Sequence, residues 1–146
     1  MRIADILRSK GSSVATVSPV ATLADLIGEL ARHNVGALPV VDDDGRLVGI
    51  VSERDYARKV VLEGKSSKDT RVQDIMSSPV FSVGPNHTVD ECMRIVTAKR
   101  IRHLPVVQGE KVIGVVSIGD LVRRVISTQT ETIQYLQEYI GVKYSI

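Results

Sequence analysis

Apolar positions along this chain recur with two different periods. Leu23, Leu26, Ile27 and Leu30 fall at i, i+3, i+4 and i+7, the stripe of an amphipathic helix. Thr22, with Asp25 three residues on, has the pattern of a capping box at its start. Val89, Cys92, Met93 and Val96 make a second such stripe, behind Thr88 and Glu91. The other period is that of short strands. Ala37-Leu38-Pro39-Val40-Val41 and Leu47-Val48-Gly49-Ile50-Val51 flank Asp42-Asp43-Asp44-Gly45, whose breaker residues predict a hairpin turn. Leu104 to Val107, the turn Gln108-Gly109-Glu110-Lys111, and Val112 to Val116 predict a second hairpin. A further helix is expected after Ser52 and after Ser117.

The two sets of elements are one pattern written twice. Pro19 and Pro85 are 66 residues apart, as are Thr22 and Thr88, and Leu38-Pro39-Val40-Val41 returns as Leu104-Pro105-Val106-Val107. Gly49-Ile50-Val51-Ser52 returns as Gly114-Val115-Val116-Ser117 and Asp55 as Asp120, now 65 apart, because the first hairpin turn is one residue longer. Upstream, Asp5-Ile6-Leu7 matches Asp74-Ile75-Met76. The expected division is a first repeat over 1–62, a linker rich in Gly, Lys and Ser over 63–70, a second repeat over 71–126 and a helical tail over 127–146. Each repeat is a marginal size for a core of its own, so the two should pack as one unit about an approximate two-fold axis. In the tail, Ile133, Leu136 and Ile140 lie on nearly one face and predict a last helix that packs on the body or on a partner.

A strand, a Pro, a capping Thr, a helix, Leu-Pro-Val-Val, a polar turn, Gly-aliphatic-aliphatic-Ser-x-x-Asp and a helix, all in register twice, resemble the CBS-domain family, named after cystathionine β-synthase. The resemblance covers about residues 1 to 126. It implies an α/β fold of two tandem β-α-β-β-α repeats with pseudo-two-fold symmetry, plus a C-terminal helix. It also implies a regulatory sensor of adenine nucleotides, AMP foremost, with ADP, ATP or NAD(H) as the others. Assembly would be as homodimers of pairs, signalling to an effector protein that the sequence does not identify.

The duplicated Ser-x-x-Asp segments carry two readings. One is a helix cap, with Ser52 capping and Asp55 in the first turn, where a carboxylate suits the helix dipole. The other uses the same geometry: free N–H groups at a helix start suit a phosphate, and a carboxylate one turn on accepts ribose hydroxyls. The resemblance makes Asp55 and Asp120 the ribose-binding positions and implies two sites. Site one would join Ile50, Ser52, Arg54 and Asp55 to Pro79, Val80 and Phe81 and to Ile101, Arg102 and His103. Site two would join Val115, Ser117 and Asp120 to Ser12, Ser13, Val14 and Val17 and to Val35, Gly36 and Ala37. In register, Arg102 and His103 stand opposite Gly36 and Ala37, and Arg54 opposite Gly119. Because Arg donates in a fork suited to phosphate, site one is expected to be the better phosphate binder.

Composition narrows the alternatives. Aromatic residues are only 3% of 146 and there is no Trp, so small aliphatic side chains must fill the core. A net charge of +2, without a long basic run or a basic helix, argues against nucleic acid. No stretch approaches the ~18 apolar residues of a membrane span, and Met1-Arg2-Ile3-Ala4-Asp5 lacks the apolar run of a signal peptide. The single cysteine, Cys92, lies on an apolar stripe and excludes an intramolecular disulfide. These features read as a cytoplasmic protein. His33, His87 and His103 are scattered without metal-ligand spacing. His33 reads as a helix-end residue and His87 as part of a turn. Asp42-Asp43-Asp44-Gly45 lacks the later positions of a calcium loop. No nucleophile and base can be paired by spacing, so no enzyme and no metal are expected. The competing reading is a dimerisation module whose sites bind nothing.

Overall fold

A computed structural model describes residues 1–11 and 14–139. The elements in chain order are α1 (Ile3–Lys10), α2 (Leu23–His33), β1 (Ala37–Val41), β2 (Leu47–Ser52), α3 (Glu53–Tyr56), a π turn (Ala57–Val61), α4 (Val72–Ile75), α5 (Val89–Lys99), β3 (His103–Gln108), β4 (Lys111–Ser117) and α6 (Ile118–Tyr139). The helix starts follow the chemistry of their first residues. Thr22 Oγ1 accepts from the Asp25 amide at 3.2 Å while the Thr22 amide donates to the Asp25 carboxylate. Thr88 Oγ1 accepts from the Glu91 amide at 3.1 Å. Both helices end on a left-handed residue, Asn34 (φ 52°) and Arg100 (φ 54°), a common way to close the last turn.

The strands form two separate antiparallel hairpins, β1–β2 and β3–β4. Each carries an irregularity beside its turn, between Val40 and Val41 and between Val106 and Val107. The strand expected ahead of each Pro contracts to one residue. Val17 bridges Val40 in parallel and Val83 bridges Val106, and each bridge consists of two backbone bonds: Val17 N to Pro39 O at 3.0 Å and Val41 N to Val17 O at 3.0 Å, matched by Val83 with Pro105 and Val107. Pro39 and Pro105 lack an N–H, so the third row can use only their carbonyls and the amides of Val41 and Val107.

The two cores do not coincide with the two sequence repeats. One contains Ile3 and Ile6 from the chain start together with Val83, Val89, Cys92, Val96, Leu104, Val106, Val116 and Leu121. The other contains Val17, Leu23, Leu26, Leu30, Leu38, Val40, Val51 and Val60 together with Val72 and Ile75. The leading helix of each repeat therefore packs on the opposite repeat. The exchange is symmetric in its bonds. The Arg2 guanidinium donates to the Asn86 carbonyl and the Arg71 guanidinium to the Val20 carbonyl, while Arg2 bridges Thr88 and Arg71 bridges Thr22. It is also close. A Cβ on Gly49 would sit 2.5 Å from Met76 Sδ and 3.1 Å from the Ser77 carbonyl oxygen, and one on Gly114 would sit 2.6 Å from a Leu7 methyl. A side chain at Gly49 would crowd the Ser77 carbonyl and displace Met76, and one at Gly114 would push the Leu7 side chain aside.

The expected linker is docked on α2: the Leu23 and Ala24 amides donate to Thr70 O and Ser67 O at 3.1 and 3.0 Å, and Tyr56 Oη meets Ser67 Oγ at 2.8 Å. These bonds satisfy two of the orphan N–H groups at the start of α2. The expected last helix is not a separate element: α6 runs unbroken over 22 residues from Ile118 to Tyr139. Ile140, assigned to its apolar face from the sequence, lies outside the described residues.

Candidate functional site

Both Ser-x-x-Asp segments fold as capped helix starts. Ser52 Oγ accepts from the Asp55 amide at 3.1 Å, and the Ser52 amide and hydroxyl donate to Asp55 Oδ2 at 2.9 and 3.0 Å. Ser117 Oγ accepts from the Asp120 amide at 3.1 Å, and the Ser117 amide donates to Asp120 Oδ2 at 2.8 Å. The cap reading and the ligand reading are thus compatible: the cap aims the carboxylate.

Beyond the cap the two aspartates differ. Asp120 is 9% exposed, the buried charged residue among those described. Lys10 Nζ donates to its Oδ2 at 2.8 Å and Arg123 to its Oδ1 at 2.6 Å. Burial pushes the Asp120 carboxyl up, but the hydrogen bonds from Lys10 and Ser117 and the ammonium charge outweigh it and hold the group below its ordinary value. Asp55 is half-buried, and among the described residues its Oδ1 accepts no hydrogen bond. Arg58 lies three residues after Asp55 as Arg123 does after Asp120, but the first helix widens into the π turn at Ala57–Val61 while α6 stays regular. No Arg58–Asp55 pair forms among the described residues.

At site one, Ile50 and Ser77 exchange backbone bonds of 3.1 and 2.9 Å, which brings the segment leading to Pro79 onto the free edge of β2. Pro79, which follows a cis peptide, and Val80 line a cleft of about 560 Å³. It opens toward the hairpin turns, between Leu47, Val48, Val107 and Glu110, and not toward Asp55. Phe81 is 49% exposed and lies under Lys99 Nζ, 4.8 Å from the ring centre. Ile101 packs against the core that contains Ile3 and Val83. Arg54 and Arg102 are exposed, and the Arg102 carbonyl accepts from the Ile118 amide at 2.8 Å.

His103, expected in site one, stands across the pseudo-two-fold axis against Gly36, whose added Cβ would lie 3.5 Å from its Nε2. Burial lowers its basicity, with Lys10 and Arg102 lowering it further against the opposing pull of Asp120 and Glu53. His103 is thereby placed among residues expected in site two as well as beside the first Ser-x-x-Asp turn. At site two, Ala37 pairs with Ser52 across the β1–β2 ladder. Val35 is exposed and Val14 half-buried, whereas the Val17 side chain is taken up by the core that contains Leu23 and Leu38. Ser12 and Ser13 lie outside the described residues. Val115 presents its carbonyl to Lys10 Nζ at 2.9 Å.

Lys10 and Arg123 are the residues that sequence reading missed. Arg123 had a signal, being three residues after Asp120 on a helix. Lys10 is 110 residues away and had none. Together they alter the charge contrast expected between the sites, because site two has cations of its own. Among the described residues no group of His, Cys, Asp and Glu could hold a metal ion, and no helix is long and apolar enough to cross a membrane.

Two interleaved α/β repeats, each opening its last helix on a capped aspartate, define a tandem-repeat module with two related candidate sites. The CBS-domain family model matches residues 3–62 and 72–127, and the chain belongs to that family and carries two copies of the domain. The mitochondrial CBS domain-containing protein CBSX3 of Arabidopsis thaliana is 41% identical over 150 residues, spanning 97% of this chain and 73% of its own length. The structure of a protein with CBS domains from Burkholderia ambifaria superposes with a TM-score of 0.81 at 48% identity, over 88% of this chain and 96% of that one. A CBS domain pair solved with 5′-methylthioadenosine and S-adenosyl-L-methionine shares the fold, with a TM-score of 0.73 at 24% identity, over 88% and 98% of the two chains.

Proposed function

We propose that this CBS pair is a regulatory module that binds an adenine nucleotide at the Ser52–Asp55 turn. One observation carries the reading. Asp55 is held in place through Oδ2 by its own cap and keeps Oδ1 open among the described residues. That is the acceptor arrangement a pair of ribose hydroxyls requires. The exposed guanidinium groups of Arg54 and Arg102 supply the charge to engage phosphate, which favours AMP, with ADP, ATP and NAD(H) as the alternatives. The structure of a CBS pair with two adenosine-containing ligands supports the ligand class by analogy of fold. The module acts through binding rather than turnover, and its signal passes to a separate effector protein.

A second copy of the chain is the partner that α6 fits. Val122, Ile126, Gln129, Ile133 and Leu136 follow one another at steps of four, three, four and three, the spacing of a coiled-coil seam. The four apolar members are 39–57% exposed.

Thermal unfolding in the presence of AMP, ADP, ATP, NAD, NADH and a guanine nucleotide tests the ligand. A nucleotide at a hundred times its dissociation constant stabilises by about 2.7 kcal/mol, a rise of several degrees at roughly 2–8 °C per kcal/mol for a domain of this size. The rise should appear with adenine ligands only and be lost in Asp55→Ala. Folded protein that shifts with none of them would leave the dimerisation module as the function.

A further inference from the structure

The second aspartate is already engaged from within the chain. A carboxylate has about four acceptor positions. On Asp120, Oδ2 receives the Ser117 amide and Lys10 Nζ, each at 2.8 Å, and Oδ1 receives Arg123 at 2.6 Å. On Asp55, among the described residues, the corresponding bonds all fall on Oδ2 and come from Ser52 alone. Lys10 Nζ also donates to the Val115 carbonyl at 2.9 Å. One ammonium thus spans the carboxylate and the strand carbonyl of the same site.

The register between the leading helices shows why only one site has this feature. Asp5-Ile6-Leu7 and Asp74-Ile75-Met76 are 69 residues apart, which places Lys10 opposite Pro79. α1 runs on to Lys10, whereas α4 ends at Ile75 and Pro79 offers neither a charge nor an N–H, so the second leading segment brings no side-chain donor to Asp55 among the described residues. The exchange of leading helices between repeats is what delivers Lys10 to Asp120 at the far end of the chain.

We propose that Lys10 is a built-in plug of the second site. Its ammonium takes the acceptors that the hydroxyls and base edge of an adenosine ligand would use, and the chain therefore binds one nucleotide, at Asp55. A ligand entering at Asp120 must displace an ion pair and return only neutral hydroxyl donors. The Lys10 side chain is 40% exposed, so it can swing into solvent, and Arg123 remains to hold Asp120 when it does. The inference rests on the nucleotide reading of the two aspartates, and the experiment separates the two.

Calorimetric titration with AMP up to millimolar concentration is run on the wild type, Lys10→Met, Lys10→Arg, Asp55→Ala and the double variant Lys10→Met with Asp120→Ala. Lys10→Gln serves if the Met variant does not fold. One AMP per chain in the wild type and in Lys10→Arg, two in Lys10→Met, and a return to one in the double variant are the expected results. No binding to the wild type but one AMP in Lys10→Met, lost again in the double variant, would uphold the plug and sink the Asp55 reading. Two AMP per wild-type chain, or the same single site in wild type and Lys10→Met, would overturn the plug and leave the nucleotide reading standing. Weaker binding in Lys10→Met would make Lys10 a ligand contact and also overturn it. No binding by any folded variant overturns both.

Discussion

Asp55 and Asp120 begin from the same local chemistry, a serine cap with a carboxylate three residues later, yet Asp120 is buried and paired with Lys10 and Arg123, whereas among the described residues the Asp55 carboxylate accepts hydrogen bonds only from its own cap. Two departures from symmetry produce the difference. The leading helix delivers Lys10 on one side, whereas on the other it ends at Ile75, four residues short of Pro79. The helix that follows is a four-residue α3 ending in a π turn on one side and the 22-residue α6 on the other. Duplication thus preserved the frame while the electrical state of each site followed from residues outside the duplicated motif. A lone helix-start carboxylate is worth little without its surroundings, since local dielectric and neighbouring charges decide what it can bind.

The contrast between the repeats can be broken at its root by the exchange of leading helices. Ile3 is fully buried in the core of the second repeat, so Ile3→Ala should cost about 2–5 kcal/mol. Hydrogen exchange should then rise across β3 and β4 before β1 and β2; a rise confined to the first repeat would contradict the exchange of helices. The contrast between the short and the long closing helix is sharpened by Ile126→Glu with Ile133→Glu. Light scattering should show a dimer weakened at least tenfold, about 1.4 kcal/mol, with the monomer's unfolding curve unchanged. A wild type that is monomeric at all concentrations would remove α6 as the seam.

The smallest effect concerns His103, where the two halves meet. Its folded-state basicity is lowered, by burial first and then by Lys10 and Arg102, with Asp120 and Glu53 opposing. Below the ordinary value of about 6.5, the unfolded chain binds a proton that the folded chain resists. Stability is therefore fully present above that value and falls as the pH drops through it, by at most about 1.4 kcal/mol per pH unit for one proton. Urea unfolding at pH 7.5 and 5.5 should show the loss in the wild type and not in His103→Gln. An equal loss in both would assign it to other groups.

Much of the frame was legible along the chain. The stripes of Leu23, Leu26 and Leu30 and of Val89, Cys92 and Val96 are buried as their spacing requires, and Cys92 is a core thiol whose pKa burial pushes up to about 11, with Glu91 adding to it. The hairpins, their unequal turns and the threonine and serine caps also follow from local rules. The strand expected ahead of each Pro shrinks to a single bridge at Val17 and at Val83, because Pro39 and Pro105 offer it no N–H. His103 lies against Gly36, which the Glu53 amide bonds, so the ring stands beside the first Ser-x-x-Asp turn and also feels the charge of Asp120, a double placement that no local pattern shows.

By itself the sequence determined the elements, their duplication and the two capped aspartates, because helix periodicity, turn chemistry and capping act over three to seven neighbouring residues. Only the tertiary structure decided which leading helix completes which core, and with it that a lysine at position 10 neutralises an aspartate at position 120 while its counterpart stays open. Contacts of that kind depend on burial and on a register of a few ångströms between distant segments, and no pattern of adjacent side chains encodes them.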